Sequence, residues 1–253
     1  MSVFEFLEIQ VLDSVRIISL NRPAQRNALN RALCIELLEA LRLAEADSTV
    51  AAVVLRANGS VFCAGADLAE RKAMDAEQVR ERRLLAFDCY DALEALAKPC
   101  IAMVEGPAIG AGVELATACD FVWATESASF RYPEVAWGTV GATQRLPEIV
   151  GKRMAKELLF TGRTVDGQEA LRLGLVNRIV PANSLAQAQG ELLEQLLKAP
   201  VDALRLAKRC VNARFDDGRR AALTVEIAAI DELLAGPTWK ARIETFGASS
   251  RAP

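Results

Sequence analysis

A chain of 253 residues with 52% apolar side chains is long enough for one large domain, or a main domain with an appendage, around a substantial buried core. Its formal net charge of −3 and sequence pI near 5.3 exclude broad electrostatic attraction to nucleic acid or anionic lipid and leave room only for a small basic pocket. There is no histidine, so Ser/His/Asp and Cys/His nucleophiles are excluded, and proton transfer near neutral pH falls to carboxylates, thiols, amines or phenols.

The N-terminus, Met1-Ser2-Val3-Phe4-Glu5, lacks a basic region followed by an apolar run, and no stretch reaches the roughly 18 apolar residues that a membrane span needs. Phe6 to Val11 and Val15 to Leu20 alternate in polarity around Asp13-Ser14, which predicts a β-hairpin, and Asn21-Arg22-Pro23 forces a turn. Asn30 caps a helix with Leu33, Leu37, Leu38, Leu41 and Leu43 mainly on one face. Val50 to Leu55 is a strand buried on both sides, stopped by Asn58-Gly59. Val61-Phe62 leads into the tight turn Cys63-Ala64-Gly65-Ala66-Asp67. Asp75 and Gln78 form a capping box for a charged helix reaching about Leu96, which Lys98-Pro99 ends. Cys100 to Val104 is a strand, Gly110 to Cys119 a helix and Phe121 to Ala124 a strand, so the first half alternates β and α in short units.

Beyond residue 143 the pattern turns helical, at Gln144 to Val150, Arg153 to Leu159 and Val165 to Leu173, the last closed by Gly174. A strand, Leu175 to Val180, interrupts. Helices are then expected around Leu185 to Leu197, Val201 to Ala213 and Arg219 to Leu234, with Gly236-Pro237 as the final break. The expected organisation is a β/α core over residues 1–195 and a C-terminal helical region over 196–253. Six cysteines, Cys34, Cys63, Cys89, Cys100, Cys119 and Cys210, occur singly, with no C-x-x-C pair and no histidine for a zinc site; they read as buried fillers of a reduced, cytoplasmic protein.

Two acids stand beside Gly/Ala turns that end in helix starts. Gly110-Ala111-Gly112 follows a strand and opens a helix, as a dinucleotide fingerprint does, but the third glycine position is Leu115, and Glu114 in the first helical turn would repel a pyrophosphate. Read as half of an oxyanion hole, the same turn accounts for its acid, because a carboxylate there can exchange protons with a substrate held by backbone amides. The turn at Ala66 supplies the other half, its small residues letting a carbonyl approach the main chain. Taken singly, Glu114 and Glu134 are ordinary helix-start acids; their joint placement with Ala66 and Ala111 points to enolate chemistry.

The phrases Leu20-Asn21-Arg22-Pro23, Arg26-Asn27-Ala28-Leu29-Asn30, Phe62-Cys63-Ala64-Gly65-Ala66-Asp67-Leu68, Gly106 through Asp120, Tyr132-Pro133-Glu134-Val135 and Thr143-Gln144-Arg145-Leu146-Pro147 together resemble the enoyl-CoA hydratase/isomerase (crotonase) superfamily over almost the whole chain. The resemblance implies an α/β fold, a crotonase-like spiral of ββα units with two roughly perpendicular sheets and a C-terminal helical region, assembling as a homotrimer or a dimer of trimers. It implies oxyanion amides at Ala66 and Ala111 and catalytic carboxylates at Glu114 and Glu134. By analogy Glu114 activates water and Glu134 delivers a proton to C2 of an enoyl-CoA thioester, giving a 3-hydroxyacyl-CoA without metal or redox cofactor; the coenzyme A belongs to the substrate. Arg26, Ala28, Ala64, Asp67 and Leu68 fall on its CoA-binding stretches, with Arg26 as a phosphate contact. Trp137 is a candidate cover for the acyl chain or a core aromatic, and the helix from Asp75 a candidate lid or a solvated face. Phe246 and Arg251 lie where the family often places ligand contacts, on a poorly matching tail.

The chain also departs from the pattern. Gly110-Ala111-Gly112 stands where three glycines are common, so a methyl narrows the oxyanion approach. The usual Gly-Thr-Ile-Pro-Gly-Ala-Gly-Gly run before Thr-Gln-Arg-Leu is shortened to Gly138-Thr139-Val140-Gly141-Ala142, which would enlarge the acyl pocket, move Glu134, or favour isomerisation over hydration. The alternatives to a hydratase are a Δ3,Δ2-enoyl-CoA isomerase and a non-catalytic scaffold or RNA-binding member of the fold. The retained acids and turns disfavour the second.

Overall fold

The structure, a computed structural model, describes residues 4–181 and 184–216, with Ala228 beyond them. Strands β1 (Leu7–Leu12) and β2 (Val15–Leu20) form the expected hairpin, Leu7 opposite Leu20 and Leu12 opposite Val15. Helix α1 (Arg31–Ala46) is capped by the Asn30 side chain, which accepts from the Leu33 N–H at 2.9 Å, and it buries Leu33, Leu37 and Leu41. Then follow β3 (Ala52–Ala57), the short α2 (Leu68–Arg71), α3 (Ala76–Ala95), β4 (Cys100–Val104), β5 (Pro107–Ile109), α4 (Ala111–Thr117), β6 (Phe121–Thr125) and β7 (Ser129–Arg131). The second half holds α5 (Arg145–Thr161), β8 (Thr164–Asp166), α6 (Gly167–Leu173), β9 (Arg178–Val180), α7 (Leu185–Leu197) and α8 (Val201–Asp216).

The strands sort into two sheets. One has six strands in the order β1-β2-β3-β4-β6-β9, parallel except for the hairpin, and the other has three, β5-β7-β8. A long strand in the first sheet, a short strand in the second and then a helix recur as β4-β5-α4 and β6-β7-α5. The same rhythm begins with β3, where Cys63 makes a single bridge to Ala108 of β5 before α2 and α3. These are the ββα units that the family resemblance implies.

Local chemistry explains where elements shift from expectation. The helix expected at Val165 starts at Gly167, because Thr164–Asp166 pairs with β7 and the Asp166 side chain then caps the helix by accepting from the Glu169 N–H at 2.8 Å. The strand expected at Leu175 is confined to Arg178–Val180; Leu175 and Val176 are buried without strand pairing, and Asn177 clasps the backbone of Val122. The short strands β5 and β7, three residues each, escape the sequence pattern. The two helices expected either side of residue 151 run together as α5, with a break at Gly151, φ 77°.

The chain forms two compact units, one of residues up to Leu96 with Cys100–Glu191, the other of Ala97–Pro99 with the chain from Leu192 onward. In the second, Lys208 Nζ on α8 donates to the Lys98 carbonyl at 3.3 Å. The expected helix Arg219 to Leu234, the break at Gly236-Pro237, and Phe246 and Arg251 lie outside the described residues. All six cysteines are free thiols, five of them buried and Cys210 half-buried. Among the described residues no helix is long and apolar enough to cross a membrane.

Candidate active site

Two successive repeats are stitched side by side at the site. The Cys63 N–H donates to the Pro107 carbonyl at 3.2 Å and the Ile109 N–H to the Cys63 carbonyl at 2.9 Å, which lays the turn at residues 63–67 along β5. Two glycines permit that closeness. A Cβ on Gly65, whose φ is +87°, would come within 2.6 Å of the Ile109 carbonyl oxygen, and one on Gly112 within 2.4 Å of the Cys63 carbonyl oxygen. The turns therefore meet backbone to backbone, with Ala66 on one and Ala111, the first residue of α4, on the other. Among the described residues neither amide N–H has a protein acceptor, and both residues line one cavity.

The acids arrive from different elements. Glu114 projects from the first turn of α4, and Glu134 stands after β7 at the start of a 3₁₀ turn, Val135–Trp137. The short segment 138–142 then folds back over both. The Thr139 N–H donates to the Glu134 carbonyl at 3.0 Å, Gly141 lies against the Glu134 side chain, and the Ala142 N–H donates to Glu114 Oε1 at 3.1 Å. Ala142 holds a left-handed φ of 52°, a strained conformation for alanine that this anchoring accompanies. Glu134 Oε1 occupies the space a Cβ on Gly110 would fill, and Glu134 Oε2 is buried without a hydrogen-bond partner.

This environment raises the proton affinity of both acids. Burial is the main cause for Glu114, followed by repulsion from Glu134, against the Ala142 N–H and the charges of Arg145 and Arg83. Burial likewise pushes Glu134 up, against its own backbone N–H and Arg83. The other neutral-pH candidates fall away: burial lifts the Cys63 thiol to about 12 and holds the Tyr90 and Tyr132 phenols above their ordinary range. Proton exchange in this cavity is left to the two carboxylates.

The cavity encloses about 480 Å³, and its wall includes Ala64, Gly65, Ala66, Ala111, Glu114 and Glu134. Arg26 and Leu68 also border it, Arg26 in a left-handed conformation after the 3₁₀ turn Pro23–Gln25. Ala28 and Asp67 do not. Ala28 is buried and its carbonyl accepts from Arg22, while the Asp67 carboxylate caps α2 through the N–H groups of Ala69 and Glu70 and pairs with Arg22 at 3.1 Å. Trp137 is 65% exposed and borders the cavity, so it is not a core aromatic.

Helix α3 is more than a solvated face, since Val79, Arg83, Ala86, Phe87 and Tyr90 form a wall of the cavity. Arg83 and its partner Thr139, 2.7 Å away, were not foreseen from the sequence. The only signal was the departure of α3 from a clean apolar stripe, which marks a helix serving two environments. Among the described residues no group of three His, Cys, Asp or Glu side chains converges on a metal position.

The chain is similar to known proteins over most of its length. The profile of the family described as enoyl-CoA hydratase/isomerase matches residues 10–246. A short-chain-enoyl-CoA hydratase of Clostridium acetobutylicum is 36% identical over 236 residues, 92% of this chain and 90% of the relative. A crotonyl-CoA hydratase of Syntrophomonas wolfei is 34% identical, covering 89% and 88%. The crystal structure of an enoyl-CoA hydratase from Bacillus anthracis superposes with a TM-score of 0.94 at 34% identity, covering 98% of each chain. With its repeats, its paired glycine turns and matches of this length, the chain belongs to the enoyl-CoA hydratase/isomerase family, with the crotonase fold.

Proposed function

We propose that the protein is an enoyl-CoA hydratase, adding water across the 2,3 double bond of an enoyl-CoA thioester. One observation carries the reading: two main-chain N–H groups without acceptors among the described residues and two half-buried carboxylates of raised proton affinity border a single cavity. In this reading the thioester oxygen rests against the Ala66 and Ala111 amides, which stabilise the enolate oxygen as charge develops. Glu114, its Oε1 fixed by the Ala142 N–H, takes the proton from water attacking C3. Glu134, whose proton affinity is raised by burial, delivers a proton to C2. The reverse proton movements would complete the opposite reaction.

Arg26, Ala64 and Leu68 border the cavity where the CoA moiety would lie, and Trp137 would flank the acyl chain. The chemistry forms a C–O bond from water and transfers its protons with no net redox change, and it calls for no metal or redox cofactor. The five buried free thiols support a reducing compartment, the cytoplasm. A homotrimer or dimer of trimers, as the family resemblance implies, is testable by light scattering in solution.

The direct test is Glu114→Gln and Glu134→Gln with crotonyl-CoA, following loss of the enoyl thioester. Each is expected to lower kcat by about 10²-fold or more, and turnover within about threefold of wild type in either would refute the mechanism. A second reading, Δ3,Δ2-enoyl-CoA isomerase, draws on the short segment 138–142, whose Ala142 amide is spent on Glu114 instead of a water. Product mass separates the two, because hydration adds a water and isomerisation does not.

A further inference from the structure

The cavity contains a cation that opposes the raised proton affinity of both acids and to which the hydration steps assign no bond with the substrate. Arg83 extends from α3 into the same space as Glu114 and Glu134, and its Nη1 donates to Thr139 Oγ1 at 2.7 Å. Its guanidinium lies 5.6 Å from the Phe87 ring centroid, a distance at which the ring face steadies a cation. Among the described residues no carboxylate forms an ion pair with it, unlike its neighbour Arg82, which is held by Glu70 and the Leu29 carbonyl. A guanidinium carries five N–H donors in a planar fork, and among the described residues only the hydrogen bond to Thr139 engages those of Arg83.

Around it the wall is mixed. Val79, Ala86, Phe87 and Trp137 offer apolar surface for a short carbon chain, while Arg83 and Thr139 offer polar groups at one place. A purely hydrocarbon acyl group would have to cover that cation without matching its donors, which costs the hydrogen bonds of a charged group. An anionic terminus would match them, and it would otherwise be repelled by the two acids. The position is also fixed relative to the chemistry, because Thr139 is tied through its N–H to the Glu134 carbonyl at 3.0 Å. The cation therefore shares one cavity with the acids, held by the segment that folds over Glu134. Arg26 and Arg71 also line the cavity, as do Ala64 and Leu68, and are separate candidates for the CoA phosphates.

We propose that the preferred substrate is a short enoyl thioester whose acyl chain ends in a carboxylate, and that Arg83, propped by Phe87 and Thr139, is the specificity-determining residue that receives it. This rests on the enoyl thioester reading of the cavity. The reaction class supplying such a substrate is the one that makes or desaturates dicarboxylic acyl thioesters, and its product is a 3-hydroxy dicarboxylic monothioester.

Two measurements test it. The first is binding of the saturated, unreactive glutaryl-CoA and valeryl-CoA by calorimetry, which needs no turnover. Wild type is expected to bind glutaryl-CoA about tenfold or more tightly than valeryl-CoA, and Arg83→Met to remove that preference, with valeryl-CoA binding reporting that the variant is folded. The second is kcat/KM for glutaconyl-CoA relative to 2-pentenoyl-CoA, a ratio expected to fall by about 10- to 100-fold in Arg83→Met and to recover in part in Arg83→Lys. Equal binding of the two saturated thioesters by wild type overturns the proposal. So does an Arg83→Met variant that weakens both alike, which would assign Arg83 to the CoA phosphates. If wild type prefers glutaryl-CoA yet hydrates neither enoyl thioester, the carboxylate site stands and the hydratase reading falls.

Discussion

Gly141→Ala isolates the position of one acid from the fold around it. Gly141 does not have a left-handed φ, so alanine fits its backbone, but the added Cβ would stand 2.9 Å from Glu134 Cγ and 3.4 Å from both Cδ and Oε1. Ordinary contact begins near 3.5 Å, so the Glu134 side chain must retreat by about 0.6 Å, and because Cγ is the middle of the side chain the carboxylate moves with it. On a scale of ~10²-fold per ångström of misplacement, kcat should fall about 10- to 20-fold, with KM little changed. The assay is steady-state hydration of crotonyl-CoA beside a thermal melt. Gly138→Ala is the control: its φ is +68° with nothing within 4 Å of an added Cβ, so it costs about 1 kcal/mol of stability through backbone strain and should leave kcat within about threefold. Wild-type kcat in Gly141→Ala would show that Glu134 need not move, and equal slowing of Gly138→Ala would show that loop strain and not the contact with Glu134 governs the rate; either result refutes the prediction.

Other outcomes follow from the same geometry. Because burial raises both acids, the acidic limb of the kcat/KM profile should lie above the ~4.3 of an ordinary glutamate, and a limb at or below that value would contradict the buried-pair description. The sign for stability is set by Glu134: its folded-state proton affinity exceeds the unfolded one, so the stabilisation it contributes is present below the unfolded value of ~4.3 and lost as pH rises through the folded value. Glu134→Gln should therefore raise Tm at neutral pH, with the gain disappearing in melts below about pH 4; a loss of Tm at neutral pH would refute this. Asn27 is buried, with φ +53°, and its side chain accepts from Arg22 N–H and donates to the carbonyls of Asn58 and Val61 at 2.8–2.9 Å. Asn27→Ala should cost roughly 2–4 kcal/mol in urea unfolding, and a cost below about 1 kcal/mol would mean those groups find other partners. Prolonged dialysis against a chelator should leave hydration unchanged, and restoration by an added metal would refute the metal-free chemistry.

How much of this was legible in the sequence depended on where the information lies. Helices α1 and α3 announced themselves through their caps, Asn30 and the Asp75–Gln78 box, because capping is written within three residues. The strands β5 and β7 were invisible because three residues hold no measurable alternation, and their pairing comes from partners far along the chain. The two glycine turns and both acids were readable, since small residues and carboxylates are rare in that combination. Ala28 and Asp67 fell on the matching stretch, but a stretch does not say which side of the chain a residue faces; both turn inward to Arg22. Arg83 was missed for the opposite reason. Amid so many charges on α3 nothing local marks the one arginine that meets Thr139, 56 residues away, across the cavity.

The junction held open by Gly65 and Gly112 gives the molecule an intrinsic check on its own folding. The two amides proposed to hold the enolate oxygen come from different repeats, and they are brought together only after each repeat has formed and the two have been laid in register. A chain with either repeat frayed would keep most of its helices and buried thiols, yet present only half of the proposed cradle. Turnover should then decline ahead of the far-ultraviolet signal as denaturant is raised, making enzymatic rate the more sensitive gauge of alignment between the units.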